Sequence, residues 1–234
     1  MLALDRVDTF YGLSHVLQGV SLAVNTGEAV ALLGRNGAGK TTTLKTIMGV
    51  LAPRRGTVAF DGRDITGLPP HRIVRMGLGY VPEERRIFPN LTVHENLRMA
   101  RLVVDGGRRM DEYLDRVVAL FPPLGNRMRN RGRALSGGEQ QMLAIARSLG
   151  TEPRLLLIDE PTEGLMPAFV ETIGQTIVDI QRQGLAVLLV EQNTRLALDA
   201  TQRVYLIEKG VIRHESTSAA LKHDTEVRLR YLGV

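Results

Sequence analysis

Gly34-Arg35-Asn36-Gly37-Ala38-Gly39-Lys40-Thr41 holds the densest set of chemically useful residues in the 234-residue chain. Its G-x-x-x-x-G-K-T spacing follows an apolar run, Ala29 to Leu33, and precedes a helix-like one. In that setting glycines let backbone N–H groups turn inward onto phosphate oxygens, and the positive end of the next helix faces the same anion. Lys40 can reach the outer phosphates of a nucleotide, the Thr41 hydroxyl can ligate Mg²⁺, and Thr42 offers a second hydroxyl. Gly34, Asn36, Gly37, Ala38, Gly39, Lys40, Thr41 and Thr42 are therefore the candidate phosphate contacts.

Two further segments bear on the same chemistry. Leu155-Leu156-Leu157-Ile158 is an apolar run that ends in Asp159-Glu160. Beside a phosphate loop, such a strand delivers an Asp to Mg²⁺. Side chains alternate across a strand, so the two carboxylates are expected on opposite sides with different roles: Asp159 on the metal, Glu160 polarising a water. Leu135-Ser136-Gly137-Gly138-Glu139-Gln140-Gln141 opens a helix-like run and makes a second anion-binding terminus from Ser136, Gly137 and Gly138. With one phosphate loop per chain, a second gripping surface points to two chains around each nucleotide.

The elements that must position these residues follow from periodicity. Strand-like runs lie near 16–24, 29–33, 57–61, 78–81, 155–158, 185–190 and 204–208. Helix-like stretches lie at 41–50, 94–102, 111–121, 138–149, 168–182 and 194–200. This alternation predicts an α/β fold with a mostly parallel sheet. Residues 86–150 read as helical and basic, an inserted helical subdomain between core segments 1–85 and 151–234 of a single domain. Gly106-Gly107 and Pro122-Pro123 are predicted turns within it.

Composition narrows the function classes. The chain has no cysteine, which removes thiol nucleophiles, zinc ribbons, iron–sulfur clusters and disulfide frameworks. It has no apolar stretch near the roughly 18 residues of a membrane span and no signal-peptide pattern at Met1, so the expectation is a soluble cytoplasmic chain. Net charge is +5, but residues 85–133 hold 11 Arg and 5 acidic residues, a local +6, leaving −1 elsewhere. A basic patch can meet nucleic acid or anionic lipid; the alternative is a solvated helical face. The five histidines show no metal-ligand spacing, Ser136 lacks the first Gly of a nucleophile elbow, and the eight methionines read as core filler.

Taken together, the phosphate loop, the Leu135–Gln141 segment and Asp159-Glu160 resemble the ATP-binding cassette (ABC) family of P-loop ATPases over nearly the whole chain. The resemblance implies a P-loop NTPase fold with an N-terminal antiparallel β subdomain and an inserted helical subdomain. It matches Tyr11 to the aromatic residue that stacks on adenine, Asp159 to the metal carboxylate, Glu160 to the catalytic base and Glu163 to Pro167 to the loop that crosses a dimer interface. It implies ATP and Mg²⁺ as cofactors and a head-to-tail dimer. The family's other partners are two membrane permeases, a second related ATPase or a second copy, and indirectly an external solute-binding protein. The chain would sit in the cytoplasm, peripheral on the inner face of the membrane.

Three positions depart from the family pattern. Glu83 stands where a metal- and water-sensing Gln is usual, Gln192 where a switch His is usual, and Met166 where Asp is usual. Glu83 can accept or ligate metal but cannot donate while ionised, and Gln192 can donate to a γ-phosphate but does not titrate near neutral pH. Glu83 and Gln192 thus join Lys40 and Glu160 as candidate catalytic residues, and Glu83 joins Thr41 and Asp159 as a candidate metal ligand. Val81-Pro82-Glu83, Arg85-Arg86-Ile87-Phe88-Pro89, Val190-Glu191-Gln192-Asn193 and Tyr231-Leu232-Gly233 resemble one branch, the smaller ATPases of branched-chain amino-acid importers. ATPases of urea and short-amide importers are similar, and a non-transport cassette acting on ribosomes or nucleic acid is the rival from another class. A single cassette without sustained heptads argues against that rival.

Overall fold

The computed structural model describes residues 1–102 and 110–234; Gly106-Gly107 lie outside the described residues. In chain order the elements are β1 (Leu2–Tyr11), β2 (Ser14–Val24), β3 (Ala29–Leu33), α1 (Lys40–Ile47), β4 (Arg55–Phe60), β5 (Arg63–Asp64), α2 (Pro70–Arg75) and β6 (Leu78–Val81). Four helices follow: α3 (Val93–Arg101), α4 (Met110–Leu120), α5 (Pro122–Gly125) and α6 (Gly137–Leu149). The chain ends with β7 (Leu155–Asp159), α7 (Pro167–Arg182), β8 (Ala186–Glu191), α8 (Thr194–Ala200), β9 (Arg203–Glu208), β10 (Val211–Thr217), α9 (Ser218–His223) and α10 (Thr225–Tyr231).

Two sheets form. Strands β2-β1-β4-β5 make an antiparallel four-stranded sheet, and β10-β9-β3-β8-β7-β6 make a six-stranded sheet that is parallel except for the edge strand β10. Strands β3, β7 and β8 are buried along their whole length, as expected of parallel strands covered on both faces. Their alternating residues feed two cores. Ala29, Ala31 and Leu33 of β3, with Leu156 and Ile158 of β7, pack beneath α3, α4, α6, α7 and α8. Val30 and Leu32, with Leu155 and Leu157, pack against α1 and the antiparallel sheet. Truncating any of these leucines to Ala leaves a cavity and costs roughly 2–5 kcal/mol.

The segment between β6 and β7 is helical because its sequence caps helices well. Thr92 and Glu95 form a reciprocal capping box at the start of α3, and Ser136 and Glu139 form another at the start of α6. An isolated bridge, Thr92 to Arg131, ties the start of α3 to the segment that leads into α6. The Tyr113 hydroxyl donates to the Ala146 carbonyl at 2.7 Å and ties α4 to α6.

Several local readings change. Pro122-Pro123 is not a turn; it opens α5, where a proline at the first helical positions forfeits no hydrogen bond. Met48 and Met142 are core residues, but Met99 and Met166 are exposed and fill no core. Among the described residues, several arginines of 85–133 are engaged within the fold. Arg86 pairs with Glu84, Arg101 with Glu152 and Arg127 with Glu139, and Arg116 donates to Gln183.

Candidate functional site

The carboxyl ends of β3, β7 and β8 meet at one edge of the large sheet, where doubly wound sheets place their ligands. Register fixes the neighbours: Leu33 lies opposite Glu191, and Val190 opposite Asp159. Gly34, Glu160 and Gln192 each follow one of these strand ends, so the chain brings the Gly34–Thr41 loop, its two carboxylates and Gln192 to one edge of the sheet.

The phosphate loop runs from Gly34 into α1. Gly39 caps that helix at φ 110°, a conformation open to glycine and costly for other residues, and has no side chain to occupy the helix's free N–H groups. Lys40 is buried, and its ammonium donates to the carbonyls of Gly34 at 2.7 Å and Arg35 at 3.2 Å. It also meets Glu160 Oε1 at 3.0 Å. Arg35, Asn36 and Gly37 are exposed, whereas Ala38 and Thr42 are buried. Thr41 Oγ1 donates to Asp159 Oδ1 at 3.1 Å.

Asp159 and Glu160 do not face opposite ways. The strand ends at Asp159, and Glu160 takes φ 41°, a left-handed conformation that breaks the alternation. Its backbone N–H is held by the Val190 carbonyl at 2.9 Å. Both carboxylates therefore reach the phosphate loop with separate partners, Thr41 for Asp159 and Lys40 for Glu160. Asp159 takes a second hydrogen bond that the sequence did not signal, from the Tyr80 hydroxyl at 3.2 Å. Burial pushes the Asp159 carboxyl above its usual range, against the pull of these two hydrogen bonds, and the charge of Glu160 adds to the rise.

Thr41 and Asp159 suit a divalent cation. Among the described residues, no group of three or more His, Cys, Asp or Glu is arranged to hold a metal alone. Mg²⁺ at a nucleotide commonly takes one or two carboxylates, and phosphates and water complete its shell. A buried carboxylate beside a hydroxyl on the phosphate loop meets that requirement. When bound, the ion neutralises charge on the phosphates. Glu83 fits less well. Burial, then neighbouring Glu163, and the charges of Glu160 and Asp159 hold its pKa above the usual range.

Tyr11 is exposed at the tip of the β1–β2 hairpin, opposite Ser14. Its position is tied to the phosphate loop through Gly210: Gln18 N–H donates to the Gly210 carbonyl, and Gly210 N–H donates to the Ala38 carbonyl, both at 2.8 Å. Gln192 is exposed just beyond β8.

The Ser136 segment belongs to a different face, on α6. Ser136 Oγ accepts from Glu139 N–H at 3.3 Å, and Glu139 Oε2 accepts from Ser136 N–H at 2.8 Å. The Ser136 hydroxyl proton thus stays available to an incoming anion. Arg85 reaches this segment, donating to Gln140 Oε1 at 3.4 Å. Gly138 has a packing role that its spacing did not reveal. A Cβ there would lie 2.2 Å from the Phe169 ring of α7. Gly138→Ala is expected to cost about 1–3 kcal/mol of stability, seen as a lowered midpoint of thermal unfolding, with Phe169→Leu in the same chain recovering part of it.

Comparison with known proteins agrees with this geometry. The sequence pattern of a family described as "ABC transporter" matches residues 17–163. The chain is 44% identical, over 100% of both chains, to the high-affinity branched-chain amino acid transport ATP-binding protein BraG of Pseudomonas aeruginosa. It is 38% identical to the lipopolysaccharide export system ATP-binding protein LptB of Haemophilus influenzae, over 100% of this chain and 97% of that one. Among solved structures it is similar to an ATP-binding cassette described as a dimer in a post-hydrolysis state with ADP and Pi, at a TM-score of 0.84 and 25% identity, covering 93% of this chain and 99% of that chain. With a phosphate loop, paired carboxylates and a capped Ser136 helix on one P-loop α/β framework, the chain belongs to the ABC transporter family as an ATP-hydrolysing cassette.

Proposed function

We propose that this chain is the ATPase subunit of a membrane importer for branched-chain amino acids. The observation that carries the reading is its end-to-end similarity to BraG at 44% identity. The Val-Glu-Gln-Asn stretch at 190–193 and Glu83 point to the same branch. In this reading the phosphate loop from Gly34 to Thr42 grips one face of MgATP, and Ser136, Gly137 and Gly138 of a second copy or a related ATPase grip the other. Tyr11 stacks on the adenine. Thr41 and Asp159 hold Mg²⁺, Glu160 orients and deprotonates the attacking water, and Gln192 donates to the γ-phosphate. Closure of the pair drives two permeases, which receive solute from an external binding protein. Among the described residues no helix is long and apolar enough to cross a membrane, and the proposed place is the inner face of the cell membrane, held by those permeases.

Lipopolysaccharide export is a second reading, favoured by the 38% identity to LptB. Urea or short-amide import and action on ribosomes are the further alternatives. A tagged pull-down from native cells in mild detergent separates them. Recovery of two multi-spanning permeases with a second cassette supports import; recovery of an outer-envelope export assembly, or of ribosomal proteins without permeases, rejects it. For Gln192, replacement by Ala is expected to lower kcat by about 10²-fold, as for loss of one charge-stabilising donor, with little change in KM for ATP. Full activity of Gln192→Ala in steady-state assays removes the role.

A further inference from the structure

Glu191 takes no part in the chemistry described above, yet it is buried at the end of β8 and every acceptor direction it uses is filled. Its Oε1 accepts from the Thr162 hydroxyl at 2.6 Å and from Thr162 N–H at 3.2 Å. Its Oε2 accepts from the N–H groups of Gln192 and Asn193, each at 3.0 Å. One oxygen thus holds the loop that follows Glu160, and the other holds the loop that carries Gln192. Nearby bonds complete the lattice. Glu160 N–H is held by Val190, Pro161 has no N–H to give, and Asn193 caps α8 by accepting from Leu196 N–H at 3.1 Å.

We infer that Glu191 is a positioning residue that locks the Glu160–Met166 loop to the Gln192 loop; resting on the roles proposed above for Glu160 and Gln192, this sets the water-orienting carboxylate and the γ-phosphate donor together. A carboxylate is rigid and planar, so neither loop can shift by more than a hydrogen bond tolerates without pulling the other. The loop it grips runs on to Leu165 and exposed Met166, which gives contacts made at that outer loop a short path to both catalytic positions. Glutamate is the residue that fits. Four donors converge on it, and an amide in its place would turn an NH₂ group against N–H groups that need an acceptor.

The test compares Glu191→Gln, Thr162→Val and Thr162→Ser in the full chain. Steady-state ATP hydrolysis is measured at protein concentrations where ATP drives association, and nucleotide affinity is measured separately with a fluorescent ATP analogue. Glu191→Gln is expected to lower kcat by about 10- to 100-fold, the effect of orphaned buried donors, with affinity within about twofold of wild type. Thr162→Val, which deletes one hydroxyl at nearly constant volume, is expected to lower kcat in the same way by a smaller factor, and Thr162→Ser to retain the rate. Combining Glu191→Gln with Thr162→Val should cost no more than Glu191→Gln alone, because both act through one contact. If Glu191→Gln fails to fold, the Val and Ser variants at Thr162 decide. The proposal is overturned by kcat within twofold of wild type in folded Glu191→Gln and Thr162→Val, by a parallel loss of affinity and kcat, or by additive effects in the double variant.

Discussion

Glu160→Gln is expected to reduce ATP hydrolysis by about 10²- to 10⁴-fold, the usual contribution of a general base, while ATP still binds. The substitution keeps the size of the side chain and its hydrogen-bonding reach, and removes its ability to take a proton. Glu160 stands at the carboxyl end of the sheet, held at φ 41° by the Val190 carbonyl, with Oε1 3.0 Å from Lys40 Nζ. That contact occupies the carboxylate until a phosphate competes for the lysine. A cassette that binds ATP and cannot hydrolyse it should accumulate in its closed, paired form. Size-exclusion chromatography or light scattering with MgATP should show a dimer for Glu160→Gln at concentrations where wild type is mostly monomeric. Hydrolysis within tenfold of wild type would place the activation of water elsewhere.

Lys40→Ala is expected to have the second largest effect, acting on binding as well as rate. The Lys40 ammonium meets the loop carbonyls of Gly34 and Arg35 and the Glu160 carboxylate. A charge-assisted hydrogen bond to a phosphate contributes roughly 1.5–3 kcal/mol, so ATP affinity should fall by about 10- to 100-fold. A further loss in kcat of about 10²–10³ follows from removing charge stabilisation at the transferring phosphoryl group. The same change leaves Glu160 without its cation in a site where its side chain is only 11% exposed. The variant should therefore also unfold at lower temperature without nucleotide. Isothermal titration with ATP, alongside single-turnover hydrolysis, separates the two losses. Unchanged affinity would mean that the loop's backbone N–H groups alone hold the phosphates.

Some of this was legible from the sequence. The α/β class followed from short apolar runs alternating with helical ones, and the phosphate loop from glycines at fixed spacing between a strand and a helix. β1 was harder to read because Asp5 and Arg6 interrupt its alternation. Arg6 sits at φ 45°, where the pairing with β2 and β4 shifts register. β10 was hidden for another reason: as an edge strand it carries Arg213, His214 and Glu215, which solvent tolerates and a buried strand would not.

The carboxylate pair shows where periodicity runs out. Strand alternation would separate Asp159 from Glu160, but the strand stops at Asp159 and a left-handed residue returns Glu160 to the lysine. Tyr80 and Glu191 were not legible as partners because their contacts join strands far apart in the chain. Tyr80 reaches Asp159 across β6 and β7, and Glu191 reaches Thr162 across β7 and β8. No local spacing encodes such pairs. Gly138 was read as an anion contact from its place after Ser136, while its smallness is also demanded by Phe169, a residue of another helix.

Import of branched-chain amino acids is the transport we propose that ATP hydrolysis by this chain powers. The most direct measurement is uptake of radiolabelled leucine, isoleucine and valine at low concentration by native cells lacking the chain. The cells are complemented with wild type or with Glu160→Gln. Loss of uptake on deletion, recovery with wild type and no recovery with Glu160→Gln are expected. Undiminished uptake of all three amino acids in the deleted cells would contradict it.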